Sequence, residues 1–245
     1  MTHNWARYAL ITLTVFVAGC VPCETPVVRP EFTRTVDLSH VVREDVPYLP
    51  GEPQTQISRE ADGTFRYLRI GARTGTLLRI IATAGTDPTT IEQLSPHDLV
   101  LPAVVIDVRD RAQDHAGYQF SVQELENWER RNGRVPQGSL VLLVTGWDMR
   151  WSDPGAYLDL DSTSRSQAPA FGDKAAITLL EDRGVMGLGI DTPGTTAVPA
   201  PGCRLLLENL TNLEQLPPTG VTVVVGALKI QAAQMSPARV IALVP

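Results

Sequence analysis

The chain has 245 residues, 43 % of them hydrophobic and 20 % charged, with a formal net charge of −6. That is enough apolar material for one sizeable core, and too much for an intrinsically disordered chain. The acidic balance, with a pI near 5.2, argues against a nucleic-acid partner, which demands a clustered basic face. Four His and three Cys leave little from which to build a transition-metal site of imidazoles and thiolates.

Residues 1–19 read as a signal peptide of the lipoprotein type. Arg7 supplies the positive charge, and Tyr8 to Ala18 form an apolar run broken only by two threonines. At about eleven residues the run is too short for a permanent membrane span, which needs roughly twenty. It ends in Val17-Ala18-Gly19-Cys20, which resembles a bacterial lipobox. That makes Cys20 the expected lipidation site and the bacterial cell envelope, lipid-anchored or secreted, the expected location. An ordinary signal peptide, or a start placed too early, are the alternatives. Residues 20–32, with Pro22, Pro26 and Pro30, read as a proline-stiffened tether. Secretion permits a Cys23–Cys203 disulfide without requiring one.

Residues 33–245 read as a single α/β domain. Thr64 to Ile70 alternates like a half-buried strand, and Leu99 to Val108 is apolar enough for a buried one. Ser121 and Glu124 form a capping box that opens a helix running to about Arg131, closed by Asn132-Gly133. Ser139 to Trp147 is a further strand. Lys174 to Asp182 reads as a helix with Ala175, Ile177, Leu179 and Leu180 turned inward. Val185 to Ile190, Val221 to Ile230 and Arg239 to Val244 complete the strands, giving a mixed sheet with packed helices. Asp148 to Gly172 is too long for a passive connection and suits a lid or a subunit contact.

Several segments, in order, resemble the metal-dependent cyclase family, which includes kynurenine formamidase and isatin hydrolase. They begin with Asp37-Leu-Ser-His40, Thr74-Gly-Thr76 and Pro102 to Asp107. Gly138 to Trp147, Gly189-Ile-Asp-Thr-Pro193, Glu208-Asn-Leu and Pro237 to Ala242 follow. The resemblance implies a swivelling β/β/α fold, usually oligomeric. It also implies hydrolysis of an N-formyl or cyclic amide C–N bond by water on a divalent metal such as zinc or manganese.

The family's signature, His-x-Gly-Thr-His-x-Asp-x-Pro-x-His, falls on Arg73 to Thr83. Gly75 and Thr76 are kept. The three histidines become Arg73, Leu77 and Thr83, the Asp becomes Arg79 and the Pro becomes Ile81. Downstream, Cys203 stands where the family has a further His, and Glu208 alone survives among the expected ligands. Arginine stays protonated and repels a dication. The expectation is therefore no metal cofactor, with Glu208 salt-bridged to Arg73 or Arg79. Arg73, Thr76, Arg79, Thr83, Asp191, Cys203, Glu208 and His40 are the pocket candidates, for a small anionic or aromatic ligand. No residue is a confident catalytic one. Two readings stay open: a degenerate binding or structural lipoprotein, homo-oligomeric like its family, or an active amidohydrolase with a rearranged site.

Other motifs carry less. His97 and His115, with Asp98, Asp110 and Asp114, read as solvated turns around a strand. Asp159-Leu-Asp161 lacks the glycine and the closing acid of a calcium loop. Cys203 has no evident His partner to make it a nucleophile.

Overall fold

The computed structural model describes residues 32–81, 89–112, 115, 117–194 and 204–245. Cys20, Cys23, Thr83, Asp114 and Cys203, and with them the signal, lipidation and disulfide expectations, lie outside the described residues. Phe32–Pro245 form one compact unit, and among the described residues no helix is long and apolar enough to cross a membrane.

Among the described residues, twelve strands and four α-helices lie along this unit. The strands are β1 Arg34–Asp37, β2 Gln56–Arg59, β3 Phe65–Arg69, β4 Leu77–Ile81, β5 Val100–Asp107 and β6 Gln119–Phe120. They continue with β7 Leu140–Val144, β8 Ala170–Phe171, β9 Gly187–Ile190, β10 Arg204–Glu208, β11 Val221–Ala227 and β12 Met235–Val244. The helices are α1 Arg109–Ala112, α2 Val122–Asn132, α3 Pro154–Leu158 and α4 Asp173–Ile177.

The main sheet runs β1-β12-β11-β5-β7-β9-β10-β4, and β12 also pairs with β4. Seven strands thus close into a barrel with β1 appended, which is the mixed α/β architecture expected from the sequence. Strands β5, β7, β9 and β10 are parallel; their neighbours pair antiparallel. Parallel strands covered on both faces read as unbroken apolar runs, which is why all five residues of β7 are buried.

One core lies inside the barrel, where Leu78, Ile80, Val105, Leu140, Leu142, Leu205, Leu207 and Val223 meet. A second lies between the outer face and the helices, where Val104, Ile106, Val141, Leu143 and Leu206 meet Leu125, Trp128, Ala176 and Leu180. Strand β9 passes so close to its neighbours that a Cβ at Gly187 or Gly189 would sit 2.3 Å from the Leu205 carbonyl or 2.5 Å from Leu142.

Three expectations need correction. The strand at 64–70 exists, but all five residues of β3 are exposed. Among the described residues it pairs with β2 alone, in a hairpin apart from the main sheet, so its alternation reflects no burial. The helix at 174–182 divides: α4 ends at Ile177, and Thr178–Asp182 continue with the wider π spacing. That change of pitch turns Ile177 outward, 40 % exposed, while Leu179 and Leu180 stay buried. Finally, residues 148–172 are not irregular throughout. A 3-10 turn at Trp147–Arg150, α3 and β8 interrupt them, and Trp147, Trp151, Tyr157 and Ala168 pack with Val46 in a small core of their own.

Candidate functional site

The parallel strands β7, β9 and β10 end side by side at Thr145, Asp191 and Asn209, with the 3-10 turn and the segment around His40 laid across them. Crevices outside the carboxyl ends of parallel strands are where α/β sheets bind ligands. Buried polar residues concentrate here: Thr74, Thr76, Thr145, Asp191, Thr192, Glu208 and Asn209.

Arg79 stands opposite Leu206, and Glu208 opposite Leu77. Arg79 and Glu208 are therefore diagonal neighbours on one face of an antiparallel pair, within reach of long side chains. Arg79 Nη2 donates to Glu208 Oε1 at 2.5 Å, and Nε donates to the same oxygen at 3.1 Å. The ion pair expected from the sequence is thus formed, with Arg79 as the partner. Arg73 is half-buried and makes no ion pair among the described residues. Glu208 is 2 % exposed against 19 % for the Arg79 side chain. Its second oxygen, Oε2, is buried and finds no hydrogen-bond partner among the described residues. Backbone presses on the carboxylate as well: a Cβ at Gly194 would lie 2.3 Å from Cγ and Cδ of Glu208.

Thr76 ties the site together. Its hydroxyl donates to the Asn209 carbonyl at 2.6 Å and accepts from the His40 backbone N–H at 3.0 Å. Asn209 Nδ2 donates to the Gly75 carbonyl at 2.6 Å, fixing a turn in which Gly75 has φ +69°. That left-handed backbone favours glycine, which accounts for the retained Gly-Thr. Tyr157, fully enclosed, donates its hydroxyl toward Asn209 Oδ1 (2.9 Å) and the Asp191 carbonyl (3.2 Å). Burial, and then the charges of Asp191, Asp148 and Glu208, push the Tyr157 hydroxyl well above its usual range.

Asp191 is 1 % exposed. It accepts from Thr145 N (2.9 Å), Thr145 Oγ1 (2.6 Å) and Gly146 N (2.7 Å), lashing the end of β9 to the end of β7. Burial pushes its carboxyl up to about 7 despite the Thr145 and Gly146 hydrogen bonds, which pull it down. His40 stacks on Trp151, with ring centroids 3.8 Å apart and planes 7° off parallel. Burial lowers its imidazole to about 4, against the opposing pull of Asp148 and the Leu210 backbone, so the ring is neutral near pH 7. Its Nε2 is a second buried atom without a partner among the described residues. Asp148, anchored by Thr211 Oγ1 at 2.8 Å, was not among the sequence candidates. It lies in the segment read as a possible lid, and nothing in its local pattern marks it.

The candidates do not all share one cavity. A cleft of about 470 Å³ is lined by His40 and Thr76 together with Ser39, Val42, Leu68 and Pro237, but not by Arg79, Glu208 or Asp191. Away from this region, His97 and Asp98 sit in a capped 3-10 turn and the His115 ring meets the Arg111 carbonyl. Among the described residues, no three His, Cys, Asp or Glu side chains converge as a metal site would require.

The Cyclase family model matches residues 36–197. The chain belongs to the cyclase family. Isatin hydrolase of Roseibium aggregatum is 30 % identical over 168 residues, 63 % of this chain and 63 % of its own; the chain thus spans under two thirds of that curated relative. Among solved structures, isatin hydrolase A from Ralstonia solanacearum is 30 % identical, with a TM-score of 0.78 over 86 % of this chain and 92 % of that one. Isatin hydrolase A from Labrenzia aggregata, bound to benzyl benzoate, is 27 % identical, with a TM-score of 0.77 over 86 % and 93 %.

Measured against this cyclase-family pattern, the residues present do not fit the family's metal. Of the residues that the sequence resemblance sets against the family's signature, Arg73 and Arg79 carry guanidinium groups, Leu77 is buried and apolar, and Glu208 is engaged by Arg79. A guanidinium about 4 Å from a dication costs several kcal/mol even at an effective dielectric of about 20.

Proposed function

We propose that this cyclase-family chain binds a small aromatic ligand without metal-dependent hydrolysis, as a lipoprotein of the bacterial envelope anchored through Cys20. The Arg79–Glu208 ion pair carries this reading. A metal site stripped of its metal leaves a buried carboxylate, and a buried charge persists only when it is paired and hydrogen-bonded. Arg79, at a ligand position, supplies the pairing in place of the ion. The aromatic character of the ligand is supported by the benzyl benzoate in the Labrenzia aggregata relative and by the face-to-face His40–Trp151 stack. A homo-oligomer is part of the proposal. It is supported by the exposed Phe65, Tyr67 and Leu68 of the β3 hairpin, since a lone two-stranded hairpin is marginal in water.

The test is an assay of the purified protein on isatin and on an N-formylated arylamine, before and after incubation with manganese or zinc, beside an active isatin hydrolase. The expected outcome is no turnover above the uncatalysed rate in either state. Metal-stimulated hydrolysis would instead favour an active amidohydrolase with a rearranged site.

A further inference from the structure

No residue of β2 or β3 belongs to the buried cores, and the ladder between them sorts their side chains into two sides. Residues directly opposite on an antiparallel pair share a face. Gln56 stands opposite Arg69 and Ser58 opposite Tyr67; past a register shift, Arg59 stands opposite Phe65. These six residues therefore make one side of the hairpin. The other side carries Ile57 opposite Leu68, and Leu68 lines the cleft of about 470 Å³ beside Val41 and Val42. The hairpin thus turns its Leu68 side toward the domain and its Tyr67 side away.

The outward side has a specific chemistry. Phe65 and Tyr67 are 56 % and 52 % exposed, and the exposed Arg59 and Arg69 flank them. None of the six residues is acidic, in a chain whose net charge is −6. Aromatic rings beside arginines suit the boundary between a bilayer and water. The rings settle at headgroup depth, while the guanidinium groups reach lipid phosphates. Each arginine near an anionic surface favours contact by about fivefold. The acids of the connecting turn are engaged there: Glu60 pairs with Arg66 at 3.4 Å, and Asp62 accepts from the Thr64 N–H at 2.8 Å. They lie at the tip, so the side of the hairpin, and not its end, fits an anionic surface.

Chain length brings that surface within reach. The twelve-residue step from Cys20 to Phe32 spans at most about 40 Å when fully extended. A lipid on Cys20 would hold the domain that close to the bilayer, where even a weak second contact engages.

We propose that the outward side of the β2–β3 hairpin rests on an anionic bilayer, with Phe65 and Tyr67 among the headgroups and Arg59 and Arg69 on lipid phosphates. The proposal rests on the lipoprotein reading above, and it leaves the Leu68 side to the contact between copies.

The test uses the full chain purified from the envelope, reconstituted into vesicles and carrying Tyr67→Trp as a reporter. Lipids brominated on their acyl chains quench a tryptophan that reaches them. With the signal of the other tryptophans subtracted, quenching in phosphatidylglycerol vesicles is expected to be at least twice that in phosphatidylcholine vesicles. The double variant Arg59→Gln/Arg69→Gln, or salt near 1 M, where screening acts within about 3 Å, is expected to remove the difference. No quenching, equal quenching in the two vesicle types, or a difference that survives both treatments overturns the proposal. So does a reporter emission that shifts with protein concentration in the absence of lipid, which would place a second copy on this side. Mass spectrometry of the same protein reads the acyl chains on Cys20. Their absence defeats the lipoprotein reading, whereas acylated protein with an unquenched reporter defeats this inference alone.

Discussion

Replacing Arg79 with Met removes the guanidinium and keeps much of the aliphatic stem. Glu208, 2 % exposed, would then be a buried carboxylate with no cation beside it. Losing one member of a buried pair costs about 3–5 kcal/mol, and the partial exposure of Arg79, 19 %, places this site at the lower end, near ~3 kcal/mol. For a domain of this size that is a fall of roughly 6–12 °C in Tm. The loss depends on pH with a definite sign. An unpaired buried carboxyl titrates above its unfolded value, so the folded variant holds its proton where the unfolded chain has lost it, and its deficit shrinks as pH falls. The double variant Arg79→Met/Glu208→Leu leaves no charge behind and should recover most of the stability, giving a coupling energy of about 2 kcal/mol or more in the cycle. Urea unfolding followed by tryptophan fluorescence at pH 5.5 and pH 8 measures all four corners. If Arg79→Met stays within about 0.5 kcal/mol of wild type at both values, in the range of ordinary surface substitutions, the pair is a surface contact and the reasoning fails.

Three further outcomes follow from the same site. His40, lowered to about 4 by burial, is neutral in the folded chain while the unfolded chain gains a proton below about 6.5; its contribution is present above that value and is lost as pH falls through it. His40→Gln should therefore flatten the acid limb of the stability profile, as read by chemical denaturation between pH 4 and 7. Asp191, raised to about 7, acts in the opposite sense: its contribution is greatest near pH 4 and declines as pH rises toward 7. Asp191→Asn should remove that decline, and an unchanged slope would show that the carboxyl is already ionised throughout. Gly194→Ala must place a methyl group 2.3 Å from the Glu208 side chain at φ +65°. The left-handed backbone alone costs about 1–2 kcal/mol, so differential scanning calorimetry should show a fall in Tm of several degrees.

Much of the barrel was legible because buried parallel strands advertise themselves. Leu99 to Val108 and Ser139 to Trp147 are long apolar runs, and β5 and β7 fall within them. The capping box at Ser121 and Glu124 forms as read, Glu124 Oε2 accepting from the Ser121 N–H at 2.9 Å. Strands β4 and β10 escaped the pattern search. In Leu77-Leu-Arg-Ile-Ile and Arg204-Leu-Leu-Leu-Glu, Arg79 and Glu208 pair with each other while apolar residues fill both cores, so neither a clean alternation nor a pure apolar run survives. The ion pair could be anticipated from chemistry, since arginine at a ligand position needs an anion, but the choice of Arg79 over Arg73 depends on strand register. Asp148 and the His40–Trp151 stack were out of reach, because they join segments far apart in the chain: Asp148 meets Thr211 and His40 meets Trp151.

The central claim is that a guanidinium has replaced a metal ion as the partner of Glu208. Elemental analysis by mass spectrometry, on protein incubated with excess zinc or manganese and then exhaustively dialysed, tests it most directly. The account predicts well below one tenth of an equivalent of either metal per chain in the wild type. One tightly held equivalent per chain would contradict it.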